Sequence, residues 1–250
     1  MRVPRIYTSA DLAAGESHTL DAAAAQHVAK VLRMQPGQVL VLFNGDGLDY
    51  PATISHVGKK EVIAALGPAQ QNELESPLKS VLGQVISRGD RMDYAIQKSV
   101  EMGVTTIAPL VSERCEVRLK GDREEKRLRH WQGVAIAAAE QCGRALIPTI
   151  APVMTLDEWL DYSENCDLKL VLHHRTEKAL TELSRPDQLA LLVGPEGGLS
   201  EDEIAQAERA GFLPAAMGPR VLRTETAPVA ALALCQWLWG DGGYGSDYTF

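Results

Sequence analysis

The chain has 250 residues, 45% of them hydrophobic, and carries 25 Lys+Arg against 33 Asp+Glu for a net charge of −8. That is enough apolar material for one large domain or two smaller ones. No apolar run reaches the roughly 18 residues that a membrane span needs. The N-terminal MRVPRIYTSA lacks the h-region of a signal peptide. Cys115, Cys142, Cys166 and Cys235 are scattered without a CxxC pair, so they read as reduced thiols of a cytoplasmic protein. The histidines show no ligand spacing beyond the adjacent pair His173-His174, and no metal is expected. Charge is unevenly spread: residues 1–72 are neutral, 79–130 carry +3 and 131–250 carry −9. A basic middle in an acidic chain fits a local polyanion site, or a solvated face of mixed charge.

The first 72 residues predict a small β-barrel. One helix is expected over Ala22–Leu32 with Asp21 as N-cap. Asn44-Gly45-Asp46-Gly47 supplies the positive-φ positions of a hairpin turn. Gln70–Pro77 is polar, ends in proline and reads as a linker. From residue 73 onward strands and helices alternate, which predicts an α/β domain with a mostly parallel, covered sheet. LKSVLGQVIS is a buried strand. RMDYAIQKSVEMG is a helix closed by Gly103. VTTIAPLVS is a strand, DREEKRLRHWQGVAIAAAEQCG a long helix and ALIPTIAPV a strand. Thr155 and Glu158 form a capping-box pattern. LKLVLHH and LALLVG are strands, and GFLPAAMG holds one more.

LLVGPEGGLSEDEI, residues 191–204, joins a buried strand to an acidic helix through a glycine turn. Ser200 and Glu203 make a capping box, so two helix N–H donors are already met. Glu196, Glu201, Asp202 and Glu203 repel a phosphate, and neither Gly-Lys-Ser/Thr nor GxGxxG is present. The loop therefore suits a ligand without phosphate that carries positive charge, and S-adenosylmethionine fits. A tight turn that only joins strand to helix is the other reading. Further on, MGPRVLRTETAPVAALALCQWLWG predicts a turn at Gly218-Pro219, an N-cap at Thr226 and Pro228 in the first helical turn. That helix is apolar nearly all round. It is expected to be buried in the domain or against a second subunit.

LLVGPEGGLSEDEI followed by MGPRVLRTETAPVAAL resembles the last two motifs of the SPOUT methyltransferases, and more narrowly those of the RsmE family. HVAKVLRM, LFNGDG, ISRGDRMDYAIQKSVEMGV, SERCEVRL and AEQCGR agree with that family, so the resemblance spans nearly the whole chain. It implies a PUA-like RNA-binding barrel over 1–72 and a methyltransferase domain over 73–250 whose C-terminal part forms a trefoil knot. It implies S-adenosylmethionine as cofactor and N3 of a uridine in small-subunit (16S) ribosomal RNA as methyl acceptor, within the small ribosomal subunit. It also implies a homodimer.

Mapped onto this chain, the resemblance assigns cofactor contacts to Leu172, His173, Gly194, Glu196, Gly198, Met217, Gly218, Leu222, Thr224 and Thr226. Negative charge develops on the uridine oxygens as N3 loses its proton. A guanidinium would stabilise that charge, first Arg223 and then Arg220. Glu225 is a candidate base, or it orients Arg223, or it caps a backbone group. RNA contacts are expected from Arg5, His27, Lys30 and Arg33 of the barrel. Arg88, Arg91, Arg114, Arg118 and Arg123 of the basic middle are also expected to contribute, with Lys98, Lys126, Arg127 and Arg129 beside them. Ribose 2′-O methylation and a non-catalytic ribosome-assembly role are the alternatives.

Overall fold

The computed structural model describes residues 3–59, 61–173 and 179–243. His174 of the adjacent histidine pair lies outside them. The chain divides into two compact units, Met1–Glu75 with Ala139–Ile147, and Ser76–Ala138 with Pro148–Phe250.

The first unit contains β1 (Arg5–Tyr7), β2 (Ser17–Thr19), α1 (Ala22–Gln26), β3 (Val39–Phe43), β4 (Leu48–Val57), β5 (Val62–Leu66) and β6 (Gln70–Gln71). The strand order is β1-β3-β4-β5-β2, with β6 paired to β4. Ile6, Leu40, Leu42, Ile54, Val62 and Ala64 fill its core, and Ala24, Ala25 and Val28 come from the helical side. Asp21 caps α1 as expected, its carboxylate accepting from the amides of Ala23 and Ala24 at 2.9 Å each. The helix expected to reach Leu32 instead widens into a π-turn over His27–Val31. It ends at Arg33, which has φ 54°. The β3–β4 turn has Gly45 and Gly47 at φ 93° and 89°, the backbone that only glycine adopts without strain.

Two stretches depart from the expected organisation. Gln70–Pro77 is not a plain linker. It carries β6, and Asn72 donates from Nδ2 to Asp49 Oδ2 and to the Gly143 carbonyl, both at 3.0 Å. Gln70, Gln71 and Glu73 are exposed, but the buried Asn72 and the half-buried Glu75 tie the stretch into the first unit. AEQCGR, expected in the second domain, clusters with the first unit instead. There Glu140 accepts from the Tyr7 amide at 2.8 Å, and the buried Arg144 grips Glu75 at 2.7 Å.

In chain order the remaining elements are β7 (Lys79–Val85), α2 (Asp90–Glu101), β8 (Thr106–Val111), α3 (Asp122–Cys142), β9 (Thr149–Ile150), β10 (Met154–Thr155) and α4 (Leu156–Tyr162). They continue with β11 (Leu168–Leu172), β12 (Gln188–Val193), α5 (Glu201–Arg209), β13 (Leu213–Ala215) and α6 (Thr226–Trp239). The sheet runs β10-β8-β7-β12-β11-β13 with β9 on β8, and every pairing in it is parallel. Leu82 of β7 and Leu189, Leu191 and Leu192 of β12 are fully buried, as strands covered on both faces require. The connection from β7 leads to β8 on one side, and the connection from β12 leads past β11 to β13 on the other. A crevice at the carboxyl ends of the strands is expected where such directions diverge.

α2 ends as expected, with the Gly103 amide bonded to the Val100 carbonyl at 3.0 Å. ALIPTIAPV yields only the two-residue β9, because most of the stretch before it belongs to the first unit. α6 packs on α2 and β12. Ala231, Leu232, Cys235 and Trp239 face inward, while Leu234 and Trp237 remain 44% and 65% exposed. No helix among the described residues is long and apolar enough to cross a membrane.

Candidate active site

β12 delivers Val193 to a turn whose backbone must double back at once. A Cβ on Gly194 would meet the Leu199 amide nitrogen at 3.0 Å, and the Gly198 amide bonds the Pro195 carbonyl at 2.9 Å. Gly198 has φ 69°. α5 then starts on its capping box. The Glu203 amide donates to Ser200 Oγ at 3.3 Å, and the Ser200 amide donates to Glu203 Oε2 at 2.8 Å. Glu203 Oε1 also accepts from the Glu113 amide at 2.7 Å. Two donors of this helix N-terminus are therefore occupied by the chain itself, and acids crowd the rest. This helix N-terminus is unsuited to phosphate.

β13 feeds a second loop that returns to the first. Thr224 is buried, and its hydroxyl donates to the Gly194 carbonyl at 2.8 Å while accepting from Gln84 Nε2 at 3.1 Å. Gln84, fully buried at the end of β7, does not stand out in the sequence. Its only signal is a lone glutamine near the end of the buried strand KSVLGQV, just before the turn. The helix that follows begins differently from expectation. Thr226 is the first helical residue rather than the N-cap; Glu225 holds the cap position without a side-chain cap bond. The amides of Thr226 and Ala227 both bond the Arg223 carbonyl at 2.9 Å. Pro228 has no N–H, so a Thr226 cap would have had only one of its two usual partners.

Together these loops line a cavity of about 670 Å³. Of the expected cofactor contacts, Leu172, His173, Gly194, Glu196, Gly198, Met217, Gly218, Leu222 and Thr224 line it, as do Arg223 and Glu225. Thr226 is exposed and is not part of the lining. Arg91, Arg114 and Arg220 are lining residues too, so four guanidinium groups surround the cavity. Glu225 is half-buried, and its Oε2 has no hydrogen-bond partner among the described residues. Arg220, Val221 and Arg223 are exposed, Val221 at 86%.

Glu196 accepts from Arg91 Nη1 at 2.8 Å and from the Arg88 amide at 3.2 Å. Burial pushes its carboxyl up, but bonds from its own amide, Arg91 and Arg88 outweigh this and hold it below the ordinary value. Arg114 Nη1 donates to the carbonyls of Gly197 and Leu199 at 3.1 and 3.4 Å.

The remaining cations separate into two kinds. His27, Lys30 and Arg33 of the first unit are exposed, and so are Arg118, Arg123, Lys126, Arg127 and Arg129 of the second. Arg88 is exposed but paired with Glu116, and Lys98 pairs with Glu101 at 2.7 Å. Arg5 does not belong with the surface cations. It is only 9% exposed, bonds both oxygens of Asp49 at 2.7 and 2.8 Å and lies over the Phe43 ring. Its charge is neutralised inside the first unit. No group of three His, Cys, Asp or Glu among the described residues is placed to hold a metal ion.

Comparison with known proteins agrees with this architecture. Residues 74–236 match the family model of the RNA methyltransferase domain, and residues 20–66 that of the RNA methyltransferase PUA domain. The ribosomal RNA small subunit methyltransferase E of Buchnera aphidicola from Acyrthosiphon pisum is 36% identical, over 96% of this chain and 95% of its own. That of Bacillus subtilis is 28% identical over 83% and 84%. The same enzyme from Neisseria gonorrhoeae, solved bound to S-adenosyl methionine, superposes with a TM-score of 0.90 at 41% identity, covering 96% of this chain and 99% of that one. A Legionella pneumophila chain solved in complex with SAM gives 0.93 at 42%, covering 96% and 100%.

Proposed function

The chain belongs to the RsmE family of ribosomal RNA small subunit methyltransferases, and from that premise we propose that it methylates N3 of a uridine in 16S ribosomal RNA using S-adenosylmethionine. The observation that carries the reading is the cavity at the carboxyl ends of β11, β12 and β13. Its chain-provided capping box and its acids disfavour phosphate. Its glycine turn lets backbone approach a flat adenosine, and Glu196 and Glu225 suit a ligand bearing cationic groups. The residues present therefore fit the cofactor, which supplies an electrophilic methyl on a sulfonium.

The chain's own part is to orient and to stabilise. Leu172, Gly194, Gly198, Met217, Leu222 and Thr224 form the walls, together with His173 and Gly218. Arg223 reaches from the loop after β13 to the uracil oxygens, where charge accumulates as N3 is deprotonated. Glu225, whose Oε2 has no partner among the described residues, is the proton acceptor for N3–H. Holding N3 in line with the methyl carbon supplies much of the rate. The exposed cations of both units, His27, Lys30 and Arg33 together with Arg118 and Arg123, meet RNA phosphates.

The threading of the C-terminal loops is that of a trefoil knot, and the protein acts in the cytoplasm on the small subunit. It works as a homodimer. Exposed Leu234 and Trp237 on α6, with Tyr94 on the packed α2, support this, because a monomer would leave that apolar face in water. Methyl transfer to small-subunit rRNA, followed by nucleoside analysis, tests the reaction; 3-methyluridine is the expected product. Methyl on ribose or on another base would remove the N3 assignment. Failure to bind S-adenosylmethionine in calorimetry would remove the enzyme reading altogether.

A further inference from the structure

Two segments outside the cavity loops converge on the 194–200 turn, and the chemistry above does not require either. From one side comes the start of α2. The Arg88 amide and the Arg91 guanidinium both donate to Glu196 Oε1, at 3.2 and 2.8 Å. From the other side comes the loop after β8. Arg114 donates to the carbonyls of Gly197 and Leu199, and the Glu113 amide donates to Glu203, the residue that closes the α5 cap. Arg88 and Glu116 pair side chain to side chain and so join the two segments to each other.

A turn containing Gly197-Gly198 has much conformational freedom to lose on binding a ligand. Donors that fix it beforehand remove that cost from the binding step. A guanidinium already bonded to a carboxylate, or to two carbonyls, has part of its charge and its orientation committed before it meets a phosphate. Arg118 and Arg123 form no ion pair among the described residues and face no such conflict.

We infer that Arg91 and Arg114 are positioning residues for the cofactor, acting through the 194–200 turn, and are not contacts to RNA phosphate. The inference rests on the reading of the cavity as an S-adenosylmethionine site. The test is calorimetric titration of the full chain with S-adenosylmethionine in the absence of RNA, and binding of small-subunit rRNA as a function of salt. Arg91→Ala is expected to weaken cofactor affinity about fivefold in the natural background and to have no further effect in a Glu196→Gln background. Arg114→Ala is expected to weaken it about tenfold, with partial recovery in Arg114→Lys, which keeps a cationic donor without the planar fork.

The salt dependence of RNA binding is expected to stay the same in all variants. Unchanged cofactor affinity, with a salt slope smaller by about 1 for each lost arginine, would overturn the inference and make them phosphate contacts. Additive losses from Arg91→Ala and Glu196→Gln would overturn the route through Glu196. If the natural chain itself does not bind S-adenosylmethionine, the reading of the site fails first, which separates the two failures. Glu196→Gln and Arg114→Lys change little volume and keep the test open where an alanine variant does not fold.

Discussion

The two glycine-bearing loops of the cavity are built on opposite plans. The 194–200 turn is held from several directions: by its own capping box, by Arg91 and the Arg88 amide, by Arg114 and by the Thr224 hydroxyl. The 217–225 loop is anchored in its last part, where Thr224 sits between Gln84 and Gly194, and it leaves Arg220, Val221 and Arg223 exposed. The helices that follow mirror this. α5 begins on a complete capping box, whereas α6 begins with no side-chain cap at all. A loop that holds a cofactor benefits from being fixed in advance. A loop that meets a substrate must keep its charged groups accessible.

The sharpest way to break this contrast is Arg223→Ala. Turnover is expected to fall by about 100-fold or more, the cost of losing one donor to a developing oxyanion, while cofactor affinity changes little. Single-turnover rates and calorimetry on the same variant separate the two, and near-normal turnover would defeat the assignment. Thr224→Val removes the hydroxyl that joins the loops and leaves one Gln84 N–H without its acceptor in a buried place, while Nε2 keeps its bond to the Val85 carbonyl. Urea unfolding is expected to show a loss of about 1–3 kcal/mol, with weaker cofactor binding alongside. An unchanged midpoint would mean that the loops do not depend on each other.

Ser200→Ala sharpens the contrast at α5 alone, with about 1 kcal/mol of stability lost through the missing cap. Replacing Thr226 by Ala, where no cap bond exists, is expected to cost clearly less in the same unfolding assay. The smallest effect is pH dependence through Glu196. Its folded carboxyl titrates below the ordinary 4.5, so its contribution is complete above that value and is lost as pH falls through the lower, folded one. Cofactor affinity is therefore expected to be flat down to about pH 5 as far as this group is concerned. An acid limb seen only below 4.5, and abolished in Glu196→Gln, would match.

Features governed by neighbours in the chain are legible in the sequence. Asp21, Thr155 and Ser200 each cap the helix that their spacing predicts, because the bonds involved span two or three residues. The hairpin at Asn44–Gly47 and the end of α2 at Gly103 follow from the same local geometry. Where local signals mislead, either a distant partner intervenes or one local rule overrides another. Arg5 looks like a surface cation until Asp49, 44 residues away, pairs with it. Gln70–Pro77 looks like a linker until Gly143 and Arg144 use its polar groups. The Thr226 cap fails for a local reason, since Pro228 already removes one of its donors.

The sequence by itself determined the alternation of strand and helix, the helix starts, the charge of the turn at Glu196 and the motifs that mark the family. All of these depend on residue type and short spacing. Only the tertiary structure decided which of the arginines are engaged. Whether Arg91 and Arg114 face solvent or hold a turn depends on strands β7, β8 and β12 lying side by side in the sheet, in the order β8-β7-β12. That adjacency brings residues 88–91 and 113–114 against residues 196–203, across about a hundred positions of chain, and no local pattern encodes it.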